Sequence, residues 1–311
     1  MAVTIDQVTA QKFSTVLYTL AQQKGSKFAG KVRVETCSGY ELAYFDTIAA
    51  FDLPSAATTR HGDTPLVEPE FSRRKVTPSK WDMGTMLDSY DLQRMQTDPQ
   101  GSVVEGFANS FGRKKDDLII AAAFGAASIG KTGSSSVASL QAETGQYGID
   151  GTTGGVKTAV NTVPAASTPV GLELAKMLLM MSLFNEKDVD PDLEKFWAVT
   201  PTDIQYMLAL TQVGSADYNT VKALAQGKME SFAGFNFFWT NRLTKDAASS
   251  TCWRTFAWAR PALILAYIGD LTTEIDKRPD KKNEKQIYSK MDLGAVRMEG
   301  AMIHECLTVV V

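Results

Sequence analysis

Residues 98–128 read DPQGSVVEGFANSFGRKKDDLIIAAAFGAAS. Asp98 and Pro99 suit the N-cap and first position of a helix, because proline lacks the N–H that would be left over there. Val104, Phe107, Phe111, Leu118 and Ala122 keep helical spacing, and Arg113 can pair with Asp116 or Asp117 one turn on. The pattern predicts one helix over about 99–128, roughly 45 Å long at 1.5 Å per residue. Gly106 and Gly112 lie inside it. Each costs about 1 kcal/mol relative to alanine, so packing has to hold this helix together.

Upstream, Thr4 and Gln7 form a capping box, and Ile5, Val8, Phe13, Val16, Leu17 and Leu20 fall on one side of the helix it would start. Gly25 is a natural stop. Residues 31–47 predict two short strands around a turn at Ser38-Gly39. From Phe51 to Trp81 come Pro54, Pro65, Pro69 and Pro78 with no sustained helical or strand period. So long a segment without its own structure is expected to lie over something else or to order on a partner.

Downstream, residues 129–168 are dominated by Gly, Ser, Thr and Ala and predict a surface excursion with tight turns. Thr168-Pro169 opens a strongly apolar helix through Leu172, Met177, Leu178, Met181 and Phe184, whose three methionines, Met177, Met180 and Met181, read as core filler. Phe196-Trp-Ala-Val reads as a strand leading into a helix started by Thr200-Pro201-Thr-Asp203. Residues 232–239, 253–258 and 285–311 predict aromatic and β-branched strands. Lys277–Lys285 (KRPDKKNEK) mixes both signs of charge and reads as a solvated turn.

Bulk properties exclude several classes. The 311 residues include 44% apolar and 22% charged side chains, an ordinary globular balance. A formal charge of −3 supplies no overall positive field to hold nucleic acid by counterion release. Cys37, Cys252 and Cys306 stand far apart without CxxC spacing and read as reduced apolar side chains. The start has neither a basic segment nor a long apolar core, so a cytoplasmic chain is expected, and no stretch reaches the ~20 apolar residues of a membrane span.

Three motifs look chemical. Gly125–Thr132 (GAASIGKT) matches the phosphate-loop pattern letter by letter, but a working loop follows a strand and opens a helix, whereas here a helix precedes. Asp188, Asp190 and Asp192 open like a calcium loop, yet Leu193 and Val199 stand where a glycine and a bidentate glutamate are needed. His61 and His304 belong to no triad or zinc pattern. The cluster Arg73-Arg74-Lys75, with Lys80-Trp81 nearby, could meet nucleic acid or opposite charges on a neighbouring copy. No catalytic residue, cofactor or metal is expected.

The order of parts resembles the major capsid proteins of tailed bacteriophages, with the Hong Kong 97-type fold. The resembling pieces are Leu20-Ala-Gln22-Gln23 with Ser26, Asp98-Pro99, Arg113-Lys-Lys-Asp116-Asp117-Leu-Ile-Ile, Asp217-Tyr218-Asn219, Gly234-Phe235 and Gly294-Ala-Val-Arg297. The resemblance implies an α+β fold with an N-arm (1–30) and an extended β-hairpin loop with flanking strands (31–87). It further implies a peripheral domain around a long spine helix (88–167 and 286–311) and a mixed α/β axial domain (168–285).

It also implies self-assembly into pentamers and hexamers of an icosahedral virion capsid. That shell would be built in the bacterial cytoplasm and would enclose double-stranded DNA non-specifically, with portal, scaffold or cement proteins as further partners and no membrane. Phe13, Val16, Leu17, Arg73, Arg74 and Trp81 are the expected intersubunit residues. Two rival readings are an encapsulin-like nanocompartment, which shares the fold, and a nucleotide hydrolase using the phosphate loop.

Overall fold

Residues Gln100–Phe124 form helix α1, as the opening stretch predicts. The structure, a computed structural model, describes residues 21–37, 41–54, 56, 64, 66–88, 99–137, 140, 148–149, 156–157, 170–209, 231–246 and 251–309. Asp98 and the arm residues before 21 lie outside the described residues. The helix stops short of the expected Ser128 where a residue distant in sequence meets its end. The guanidinium of the fully buried Arg297 donates from Nη1 to the Ala123 and Gly125 carbonyls at 3.0 and 2.8 Å. A cation placed there satisfies orphan carbonyls and meets the negative end of the helix dipole.

Before α1 lie strands β1 (Arg33–Thr36), β2 (Ala43–Ile48), β3 (Phe71–Val76) and β4 (Ser79–Leu87). After it come β5 (Ala127–Ile129), β6 (Ser135–Val137), β7 (Gly148–Ile149) and β8 (Val156–Lys157), then helix α2 (Leu174–Glu186), strand β9 (Lys195–Val199) and helix α3 (Pro201–Ala209). The chain closes with β10 (Ser231–Phe232), β11 (Phe235–Trp239), β12 (Cys252–Ala259), β13 (Leu263–Arg278), β14 (Glu284–Arg297) and β15 (Ile303–Val309).

Three sheets result, in the orders β1-β13-β14-β4, β10-β11-β9-β12-β15-β7-β8 and β2-β3-β5-β6. The expected hairpin across Ser38-Gly39 does not form. β1 pairs parallel with β13, from Arg33↔Ile264 to Thr36↔Tyr267, while β2 pairs antiparallel with β3 in another sheet. Alternation marks a strand but carries no information about a partner more than 200 residues away.

The chain divides into two compact units, one drawn from residues up to Ser26, Lys80–Lys114 and Gly269–Asp292, the other from Lys27–Ser79, Lys115–Ile268 and Leu293–Val311. The second unit holds the seven-stranded sheet, whose inner face carries Trp197, Val199, Phe235, Ala257 and Cys306. Met177, Met180 and Phe184 of α2 pack on these residues, as the core-filler reading of the first two expects, whereas Met181, expected with them, faces outward and stays exposed, as does Leu178.

The start of α3 is fixed by a reciprocal cap. Asp203 Oδ2 accepts from Thr200 N, and Thr200 Oγ1 accepts from Asp203 N. Burial pushes the Asp203 carboxyl above the ordinary range, with the Thr200 and Thr308 hydrogen bonds and the Lys176 charge pulling it back. Gly148–Ile149, within the Gly-rich stretch, joins this unit as β7 by pairing with β15, and a Cβ on Gly148 would collide with the Glu305 carbonyl.

The two helix glycines differ. A Cβ on Gly112 would run into the backbone of Gly25, so this position permits a close approach of two chain segments. Gly106 has nothing within 4 Å of a Cβ. Gly106→Ala is therefore expected to stabilise the soluble subunit by about 1 kcal/mol and Gly112→Ala to destabilise it by about 1–3 kcal/mol, read by thermal denaturation.

Candidate assembly surfaces

β2 and β3 form an antiparallel pair from Ala43↔Val76 to Ile48↔Phe71. Its base is anchored: Ala43 and Val76 are buried with Ala127, Ile264, Ala266, Val296 and Met298, and Phe45 packs against them. Its far end is bare. Ile48, Phe51 and Phe71 are well exposed, and Leu53 and Leu66 are 91% and 92% exposed. Apolar side chains gathered in one loop with no core of their own are what a partner surface presents.

Alternation along β3 sends neighbouring arginines to opposite faces. Arg73 points outward, where its Nε and Nη2 bond both Asp46 oxygens at 2.5 and 2.8 Å across the strand pair and its guanidinium lies over the Tyr44 ring. The Arg73 hydrogen bond, then its charge, hold the Asp46 carboxyl below the usual carboxylate range. Arg74 points inward, is buried, and donates from Nε to the Met298 carbonyl at 2.9 Å. Arg74 thus ties β3 to the Met298 carbonyl within its own chain. Trp81, on β4, is half-buried, with the Lys114 ammonium 3.7 Å from its ring centroid.

Phe13, Val16 and Leu17 lie outside the described residues, but the segment that follows them is moored. Gly25 N–H donates to Asn109 Oδ1 at 3.1 Å and Arg113 Nη1 to Gln22 Oε1 at 2.9 Å. In the other unit, Lys27 N–H and Phe28 N–H donate to the two Asp116 oxygens at 3.1 and 3.4 Å. The fully buried Phe28 stacks on Trp258 and meets the Phe238 ring edge-on. Burial lowers the Lys27 and Lys31 ammonium pKa values, and the Asp116 charge partly opposes it.

The sequence matches the phage capsid protein family over residues 5–306. The chain belongs to that family. Solved phage capsids share its fold at low identity. Against the capsid of cyanophage Pam1 the identity is 13%, with 99% of this chain and 98% of that one covered at a TM-score of 0.71. Against cyanophage P-SCSP1u it is 14%, with 100% and 96% covered at 0.69. Against Ralstonia phage GP4 it is 14%, with 97% and 95% covered at 0.68. No curated protein matches the sequence at a significant level. The Hong Kong 97-type α+β architecture expected from the sequence is the one found.

In this family member the motifs that looked chemical have other roles. Gly125 follows the last turn of α1, β5 and β6 pair antiparallel from Ala127↔Val137 to Ile129↔Ser135, and Gly130–Gly133 make the turn between them. A phosphate at this motif would face a helix C-terminus, whose dipole repels it, and not a helix N-terminus. Asp190 Oδ1 accepts from Asp192 N–H at 2.9 Å, and Lys195 reaches the Asp190 and Pro191 carbonyls, which makes an acidic turn. His304 is buried edge-on against Phe184, and His61 lies outside the described residues.

Sequence reasoning missed Ile48, Phe51, Leu53, Leu66 and Phe71. For Phe51, Leu53 and Leu66 the available signal was their place in a proline-interrupted stretch that has no period with which to bury them. Leu53→Ser combined with Leu66→Ser is expected to leave subunit stability within about 0.5 kcal/mol of wild type, because neither side chain is buried. The same pair should raise the critical concentration for assembly by about tenfold or more, since each docked leucine contributes roughly 1.5–3 kcal/mol. Denaturation and light scattering on the same preparation read both.

Proposed function

We propose that this chain is the major capsid protein of a tailed-phage head, a non-catalytic subunit that closes icosahedral shells from pentamers and hexamers around double-stranded DNA. The observation that carries the reading is the bare apolar end of the β2–β3 loop on a chain whose family is that of phage capsids. Residues 1–30 act as the N-arm, 31–87 as the extended loop, 88–167 and 286–311 as the peripheral domain and 168–285 as the axial domain. Arm and loop lie across adjacent subunits, and contacts repeated around closed rings turn modest pair energies into a stable shell.

Phe13, Val16 and Leu17 serve as arm contacts and Trp81 as a loop-base contact. Arg73 stiffens the loop through Asp46, so its contribution to the interface is the shape it imposes. Shells form in the bacterial cytoplasm and take up portal, scaffold or cement proteins there. Family membership favours a phage head over a nanocompartment.

Electron microscopy of the purified chain tests the reading: rings or icosahedral particles are expected, and compact monomers at high concentration contradict it. Deleting residues 1–20, which spares Gln22 and Gly25, should leave a folded subunit that cannot close shells. Normal particles from that truncation overturn the role of the arm.

A further inference from the structure

Strand β1 lies at a sheet edge. In the order β1-β13-β14-β4 it has β13 on one side and, among the described residues, no strand on the other. Its register with β13 fixes which backbone groups are already used. Thr36 is level with Tyr267, and Cys37 N–H donates to the Tyr267 carbonyl at 2.6 Å, so Arg33, Glu35 and Cys37 are the residues that bond β13. The alternation of a parallel ladder turns the N–H and C=O groups of Val34 and Thr36 the other way, toward the free edge.

That edge is open. Val34 is 51% exposed. Beside residues 30–34 runs a groove of about 620 Å³, bounded on its far side by Leu193, Glu194, Arg260 and Pro261. Arg260 and Glu194 pair at 3.1 Å, so this wall carries no net charge. Arg33 and Glu35, two residues apart and on one face of β1, pair at 2.6 Å. An uncovered edge with continuous register and no proline is a template for one more strand.

We propose that the added strand is β1 of a second copy, paired antiparallel about a two-fold axis with the two Val34 residues level, a contact that rests on the shell reading above. In this register each Arg33 stands opposite the other copy's Glu35, and the two within-strand pairs merge into a square of alternating charge. The exposed Val34 side chains cover one another on the opposite face, and the outward N–H and C=O groups of the two Val34 residues satisfy each other. Thr36 of each copy comes level with Val32 of the other and enters its groove. Parallel pairing would set Arg33 beside Arg33, and a one-residue slip would set each Val34 opposite a Glu35. The contact is isologous, one surface meeting itself.

The Val34 N–H takes no part in the β13 ladder, so Val34→Pro removes an outward donor only. This variant should keep the melting temperature of the subunit within about 3 °C of wild type and raise the critical assembly concentration about tenfold. Register is read by cross-linking in full-length chains that carry Cys37→Ala, where the remaining Cys252 and Cys306 are buried. The level pair sets the two residue-34 Cα atoms about 5.5 Å apart, within disulfide reach, and the two residue-36 Cα atoms about 14 Å apart, beyond it. Oxidised particles of Val34→Cys should run as covalent dimers on a non-reducing gel and those of Thr36→Cys as monomers. The cross-link decides the matter if the proline variant fails to fold.

Particles of Val34→Cys that yield no dimer overturn the contact and leave the shell reading intact, as does unchanged assembly of a folded Val34→Pro chain. Dimers from Thr36→Cys overturn it in favour of another register. Assembly weakened by Val34→Pro without a Val34→Cys dimer assigns the edge to a different strand and also overturns it. Absence of particles from the wild-type chain, by contrast, removes the shell reading itself.

Discussion

Apolar surface that a chain cannot bury on itself is the constraint on which the rest of this structure depends. Removing such surface from water is worth roughly 25 cal/mol per Å². The residues from Ile48 to Phe71 leave Phe51, Leu53 and Leu66 in solvent at the end of a strand pair whose base is packed in the core. The Arg73–Asp46 fork and the buried Arg74 fix that base. Less ordering entropy then has to be overcome at the base when a neighbour covers the loop.

The long helix supplies the rigid reference for these parts. Arg297 takes up the carbonyls at its C-terminal end, Asp116 receives the backbone N–H groups of Lys27 and Phe28, and Asp117 is forked by Arg242. Each of these groups forms its bonds inside one subunit. A shell whose copies occupy unequal positions needs this division: a core that keeps one geometry and extensions whose burial is left to other copies.

Much of this was legible in the sequence where the signals are local. Pro99 marked the start of the helix, KRPDKKNEK marked the turn between β13 and β14, and the Thr200–Asp203 cap started α3 as read. Errors arose where a distant partner decides. β1 follows β13 instead of β2, α1 ends at Phe124 because Arg297 lies there in space, and the outward positions of Leu178 and Met181 follow from which face of α2 meets the sheet. Which of Arg73 and Arg74 turns inward was not legible, because period-2 alternation had not been anchored to a known inward face. The stretch from Phe51 to Trp81 was read as having no strand period, yet β3 and the start of β4 lie within it, because their partners β2, β5 and β14 are set by pairing and not by local alternation.

The central claim is that the front third of the chain is finished by sister copies. Amide hydrogen exchange of residues 49–70, compared between free subunits and assembled particles, tests it most directly, because protection there reports burial or hydrogen bonding of that backbone alone. The account predicts near-unprotected exchange in the free subunit and slowing by about a hundredfold or more in the particle. Equal protection in both states would mean that the loop is covered by its own subunit, which contradicts the account.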